Sequence, residues 1–199
     1  MTITSRLLTF VDIFVESAEI DGVLAELAKL EHLEELYEVT GEFDIVSLIS
    51  VTGIDELRDI LKNKVMKIKG VKSTVSSIVL KADKGPKCNG DNGTPISEPI
   101  KAREKNAQDS PSHHHLHAFV DIFVESALMD QVIDALCKLD NVEELHEVTG
   151  EFDIVTLVSA DDIEEFREVL KNKIMKTPGV RSTVTSVVMQ THKGPRCRD

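Results

Sequence analysis

FVDIFVESA at Phe10–Ala18 returns at Phe119–Ala127, an offset of 109 residues. The same offset carries EVTGEFDIV from Glu38–Val46 to Glu147–Val155, LKNK from Leu61 to Leu170, and KGPKC at Lys84 onto KGPRC at Lys193. Aligned without a gap, residues 7–88 and 116–197 are identical at 49 of 82 positions. A period this long holds a complete small domain rather than one stacking unit of a solenoid. The repeat therefore predicts a first domain over residues 1–82, a linker over 83–115 and a second domain over 116–199. Inside that linker, Asn89–Ser112 gathers Asn, Gly, Pro and Ser around a KAREK cluster with almost no apolar residue, the composition of a solvated segment. About 25 flexible residues span roughly 25–30 Å, enough for the two copies to lie side by side.

Each copy carries the same order of elements. Leu7–Val15 is a β-rich run, and after Ser17 the spacing of Val23, Leu27 and Leu30 predicts a helix. Leu33–Val39 and Phe43–Val51 then read as strands meeting at Thr40-Gly41-Glu42, where glycine suits a tight hairpin. Thr52 with Asp55, and Asp161 with Glu164, resemble capping boxes opening a second helix through Ile54, Leu57, Leu61 and Val65. Gly70 and Gly179 close those helices, and Val71–Leu80 predicts a last strand. The order β-α-β-β-α-β specifies an α+β, ferredoxin-like domain, a four-stranded antiparallel sheet with both helices on one face. The strands are apolar on both sides. Val11, Ile13 and Val15 oppose Phe10 and Phe14, and Phe43, Ile45 and Ile49 oppose Val46 and Leu48. A solitary sheet would leave one set in water, so the two copies, or two chains, are expected to pair through their sheets as a dimeric α-β barrel does.

The EVTGEFDIV hairpin, the EELYE or EELHE before it, and the GVKSTVSSIVL or GVRSTVTSVVM strand after it resemble the effector-binding (RAM) domain of the Lrp/AsnC family. The resemblance covers nearly all of each copy. It implies a βαββαβ domain that pairs through its sheets and binds small effectors, amino acids foremost, in crevices between assembled domains. Carried over residue by residue, it points to Thr40, Gly41, Glu42, Asp44 and Thr74, and to Thr149, Gly150, Glu151, Asp153 and Thr183 in the second copy. Gly41 would let a ligand approach the backbone, where free N–H groups receive a carboxylate. Glu42 or Asp44 would hold an amino group through a charge-assisted hydrogen bond worth about 1.5–3 kcal/mol. The plainer alternative is that Gly41 only makes the turn and Asp44 is a solvated strand residue. Asp12 and Asp121 sit mid-strand on the phenylalanine side, where a sheet interface would lie.

Typical members of the family carry a helix-turn-helix segment ahead of this domain. Here Met1–Arg6 precede the first strand, and neither linker nor termini offer a basic amphipathic helix. With 35 acidic against 23 basic side chains, the formal charge of −12 repels a polyanion. We therefore expect no direct nucleic-acid binding. No apolar run approaches 18 residues, and Met1–Phe10 has none of the features of a secretory signal, so no membrane partner is expected. Cys88, Cys137 and Cys197 form no disulfide framework, and a cytoplasmic location fits. No nucleophile elbow, phosphate loop, HExxH or flavin fingerprint is present, so the expectation is a non-enzymatic protein requiring no cofactor.

His113, His115 and His117 would point one way from an extended segment, a geometry able to hold Cu(II), Ni(II) or Zn(II); the alternative is a solvated linker end. The expected partners are an amino-acid effector, further copies of the chain, or other RAM-bearing proteins. Two competing functions stay open at this point. One is a structural adaptor that assembles with such regulators; the other is a metal-binding accessory protein using the histidines.

Overall fold

The structure, a computed structural model, describes residues 6–85 and 116–194, together with the backbone of 88–89 and 94–95. The first copy runs β1 (Leu7–Val15), α1 (Ile20–Leu27), β2 (Leu33–Gly41), β3 (Ile45–Val51), α2 (Ile54–Asp59) and β4 (Val71–Lys84). The second runs β5 (Leu116–Val124), α3 (Met129–Leu136), β6 (Val142–Thr149), β7 (Ile154–Ala160), α4 (Ile163–Glu168) and β8 (Val180–Lys193). Cys88–Asn89 and Thr94–Pro95 form a separate two-stranded ladder between the copies in sequence. The β-α-β-β-α-β order of each copy is therefore as the residue pattern predicts.

The eight long strands close into one barrel in the order β1-β3-β2-β8-β5-β7-β6-β4, with every ladder antiparallel. Closure depends on the two last strands. Residues 71–78 of β4 run beside β1, and from Ile78 onward the strand pairs with β6 of the other copy, reaching Lys84↔Leu145. Strand β8 does the same, pairing first with β5 and then with β2, from Ser186↔Gly41 to Lys193↔Leu36. The expected strand ends at Leu80; the observed one runs to Lys84 because the opposite copy supplies the ladder that those polar residues could not find at home. Lys84 Nζ then donates to the carbonyls of Cys137 (3.2 Å) and Leu139 (2.9 Å) at the end of α3. The Cys137 carbonyl is the helix C-cap acceptor, which favours a cation, and the Leu139 carbonyl, which also accepts the Val142 N–H at 3.2 Å, lies in the turn that follows. Lys193 also crosses to the other copy, where it donates to the carbonyl of Leu33 at the start of β2.

Three cores follow from the two-sided strands. Val11, Ile13 and Val15 pack with Val23, Leu24, Leu27 and Leu57 under the helices of the first copy. Their counterparts Val120, Ile122 and Val124 do so in the second. The third core fills the barrel and draws on both copies, with Phe10, Tyr37, Phe43, Val46 and Leu48 facing Phe119, Phe152, Val155 and Leu157. Each buried ring contributes about 1.5–3 kcal/mol of transfer free energy, which is why the phenylalanine face does not stay in water.

Two local expectations are corrected. Phe43 lies inside the barrel rather than with Ile45 and Ile49, because β3 begins only at Ile45 and Asp44 breaks the alternation. The helix-opening boxes sit one residue further on. Asp162 accepts the Glu165 N–H (2.8 Å) while Glu165 accepts the Asp161 N–H (2.6 Å). In the first copy Gly53 is the N-cap without a side-chain bond, and Glu56 takes the N–H and hydroxyl of Thr52.

Candidate functional site at the junctions between the copies

The β2–β3 hairpin is built around Asp44. Its carboxylate accepts the Val15 N–H at 2.7 Å, its N–H donates to the Ile13 carbonyl at 3.2 Å, and its carbonyl accepts the Val39 N–H at 3.0 Å. Asp153 repeats this with Val124, Ile122 and Val148 at 2.7, 3.1 and 3.0 Å. Asp44 and Asp153 are half-buried pins that fix each turn to the end of the copy's first strand, not solvated strand residues. Thr40, Gly41 and Glu42 are exposed at the turn, as are Thr149, Gly150 and Glu151.

The glycines meet the other copy. Gly41 has φ 141° and Gly150 φ 145°, conformations that a side chain rarely adopts. A Cβ at Gly150 would lie 2.7 Å from the Ser76 carbonyl and 3.3 Å from Ser77 Cα, and one at Gly41 would collide with the Thr185 carbonyl beside Ser186. The close approach that glycine allows is thus taken up by the backbone of the opposite last strand. The hairpin of one copy and the last strand of the other form one junction, and the repeat makes two of them. Thr74 is not at the turn. It pairs with Ile13 on the far side of β1 from Asp44, and its Oγ1 lies 3.9 Å from Met66 Sδ on the helix side. Thr183 pairs with Ile122 in the same way. The residues the turns do meet, Ser76 and Ser77 on one side and Thr185 and Ser186 on the other, have no signal in sequence that sets them apart from the other polar residues of the same strands.

Behind the junctions the barrel interior is layered. Phe10 and Phe119 meet edge to face at 6.3 Å, and Phe43 and Phe152 at 6.2 Å. Asp12 and Asp121, each only 3% exposed, follow Phe10 and Phe119 by two residues and so face the same interior. Burial first, and then the charges of Asp121 and Glu151, push the Asp12 carboxyl well above the usual carboxylate range. Burial and Glu151 push Asp121 up to about 7. Beside the first ring layer, Tyr37 donates its hydroxyl to Glu35 (3.0 Å), while the aligned His146 sits 3.2 Å from Glu144. The two copies differ in chemistry here. Tyr37 packs on Phe119 at 5.0 Å and His146 on Phe10 at 5.2 Å, so each copy's polar residue rests on the other's ring. Burial and the neighbouring Glu35 raise the Tyr37 phenol.

Of the histidine cluster, His113 and His115 lie outside the described residues. His117 opens β5 with Nε2 3.5 Å from Glu143 Oε1. Among the described residues no three metal-ligating side chains gather. Cys137 is half-buried against the second copy's core, and burial raises its thiol. Among the described residues no helix is long and apolar enough to cross a membrane.

Comparison with known proteins matches this architecture copy by copy. The profile of the Lrp/AsnC ligand binding domain fits residues 8–86 and again 117–196. An HTH-type transcriptional regulator of Pyrococcus abyssi is 36% identical over 80 residues, covering 40% of this chain and 51% of that protein. The leucine-responsive regulatory protein of Escherichia coli is 33% identical over 87 residues, covering 40% and 53%. The chain thus spans about half the length of the curated relatives it matches. Across 96% of its length the chain also superposes on 73% of a siroheme decarboxylase crystallised with an iron-uroporphyrin III analogue, with a TM-score of 0.69 and 13% identity. That likeness concerns the fold alone.

Proposed function

Since the chain belongs to the Lrp/AsnC ligand-binding domain family in both of its halves, we propose that it is a non-enzymatic module for sensing a small molecule, an amino acid foremost. The relatives named above are regulators, and a ligand-sensing role related to theirs follows from the family. The observation that carries the proposal is the pair of junctions. Each places an exposed carboxylate, Glu42 or Glu151, at a turn seated on the other copy's last strand. A ligand amino group on that carboxylate gives a charge-assisted bond, and a ligand touching both hairpin and strand would bind only the assembled barrel. The formal charge of −12 argues against DNA contact by these residues themselves. We place the protein in the cytoplasm, with no resident cofactor required.

One observation favours a second role, as an adaptor that assembles with other RAM-bearing proteins. The exposed large apolar side chains, Ile54, Met66 and Leu80 with Ile163, Met175 and Met189, fall at aligned positions in the two copies. In the first copy Ile54, Leu57, Leu61, Met66 and Ile78, together with Arg58 and Lys62, line a groove of about 510 Å3.

Thermal denaturation in the presence of each of the twenty amino acids tests the sensor. A ligand at 100 times its Kd adds about 2.7 kcal/mol of stability. A selective rise in Tm that disappears in the double variant Glu42→Gln, Glu151→Gln, with its unliganded Tm unchanged, is the expected result. A flat response to all twenty would overturn the sensor and leave the adaptor.

A further inference from the structure

The buried ionisable side chains with described surroundings are Asp12, Glu35, Asp121, Glu144 and His146, together with the Tyr37 phenol. Four are carboxyl groups, one is a histidine, and no lysine or arginine joins them. His146 stands 3.2 Å from Glu144, and Glu35 accepts from Tyr37. Asp12 and Asp121 therefore have to be accounted for from their own surroundings.

Every strand that flanks them presents an apolar neighbour. Asp12 lies opposite Val46 on β3 and Val75 on β4, and Asp121 opposite Val155 on β7 and Val184 on β8. Along their own strands come Phe10 and Phe14, and Phe119 and Phe123. The remaining charge that bears on both is negative, that of Glu151 on the second hairpin. Asp12 Oδ2 is fully buried and has no hydrogen-bond partner. An ionised carboxylate in such a setting loses its hydration and gains nothing in return, whereas a protonated one needs only a single acceptor. Each carboxyl comes from a different copy, so the group in question belongs to the contact between them.

We propose that Asp12 and Asp121 form one acid pair across the barrel that retains a proton at neutral pH, so that the cohesion of the two copies is linked to pH. The pair goes beyond effector sensing and does not depend on it. The sign is set by burial. A carboxyl whose folded pKa is raised binds protons in the barrel that the unfolded chain has already released, at about pH 4. The stability that the pair contributes is then full below about pH 4 and falls as pH rises toward the folded values, of which that of Asp121 is about 7. The protons come off in steps that belong to the pair. Loss of the first leaves a negative charge within the aromatic layers, next to Glu151 and the Gly150 turn.

The test is urea unfolding of the full chain from pH 5 to 8.5, for the wild type and for Asp12→Asn and Asp121→Asn. Asparagine keeps the shape of the neutral acid without its titration. The wild-type unfolding constant is expected to rise between pH 5 and 7 by about tenfold per pH unit for each extra proton held by the barrel. Each asparagine variant should lose one proton from that slope, and Asp121→Asn should be more stable than the wild type at pH 8. Carboxyl carbon NMR of the folded wild type serves if a variant fails to fold. One aspartic acid still protonated at pH 7 is expected there. Parallel pH profiles in all three proteins, or both carboxyls titrating near pH 4, would overturn the pair.

Discussion

The Asp44 carboxylate and the Val15 N–H, 29 residues apart, are joined by a 2.7 Å hydrogen bond that the second copy reproduces between Asp153 and Val124. This bond ties the turn carrying the candidate ligand residues to the end of the first strand. Asp44→Ala should therefore destabilise the protein by about 1–3 kcal/mol, the cost of leaving a half-buried N–H without its acceptor. Asp44→Asn, which keeps an oxygen acceptor, should lose less. Urea unfolding measures both. Loss of ligand binding in Asp44→Ala would mix a structural effect with a chemical one, and Glu42, exposed at the same turn, is the cleaner position for a binding variant.

Gly150→Ala tests the junction itself. It combines a backbone conformation unfavourable to alanine with a Cβ placed 2.7 Å from the Ser76 carbonyl, and should cost about 1–3 kcal/mol. Hydrogen exchange should quicken first along the β4–β6 ladder, at Ile78 and Val79. Exchange that quickens uniformly would mean that the glycine serves only its own hairpin.

The two second helices begin differently, and the difference can be exploited. Gly53 is an uncapped N-cap with extended backbone and open space around it. Its counterpart Asp162 caps the Glu165 N–H at 2.8 Å. Gly53→Asp should stabilise the protein by about 0.5–1 kcal/mol, through the cap and through a less flexible unfolded chain. Asp162→Ala should cost about 0.5–2 kcal/mol. Both are read by thermal denaturation.

Phe10→Ala removes a ring that touches Phe119 at 6.3 Å and His146 at 5.2 Å, both in the other copy. The cavity should cost about 3–5 kcal/mol. The barrel core is shared, so calorimetry should show one cooperative transition at a lower temperature. A second transition retained at the wild-type temperature would show that the second copy folds without the first.

Much of this architecture is legible in the residues. The repeat fixes two copies, and the facing sets Val11, Ile13, Val15 and Phe10, Phe14 demand a second covering layer. What single-strand periodicity does not reveal is edge pairing. Lys81–Lys84 is polar and falls past an apparent strand end, and its ladder comes from residues 145–147 of the other copy. Phe43 is misplaced by alternation because Asp44 spends a residue on the hairpin. At the site, a T-G-E-x-D turn marks where chemistry gathers, yet it does not show that Asp44 is committed to a backbone N–H, or that Gly41 makes room for Thr185. The buried acids are visible as Asp12 and Asp121 within apolar strands, and only the closed barrel shows that both are buried in one interior.

Effector binding between the copies is read residue by residue by amide NMR of the full chain titrated with the amino acid that raises Tm most. We predict saturable shifts concentrated at Thr40–Asp44 and Thr149–Asp153, together with Ser76, Ser77, Thr185 and Ser186 on the opposing strands. Shifts confined to one copy's helices, or no saturable shift with any amino acid, would contradict effector binding at the junctions between the copies.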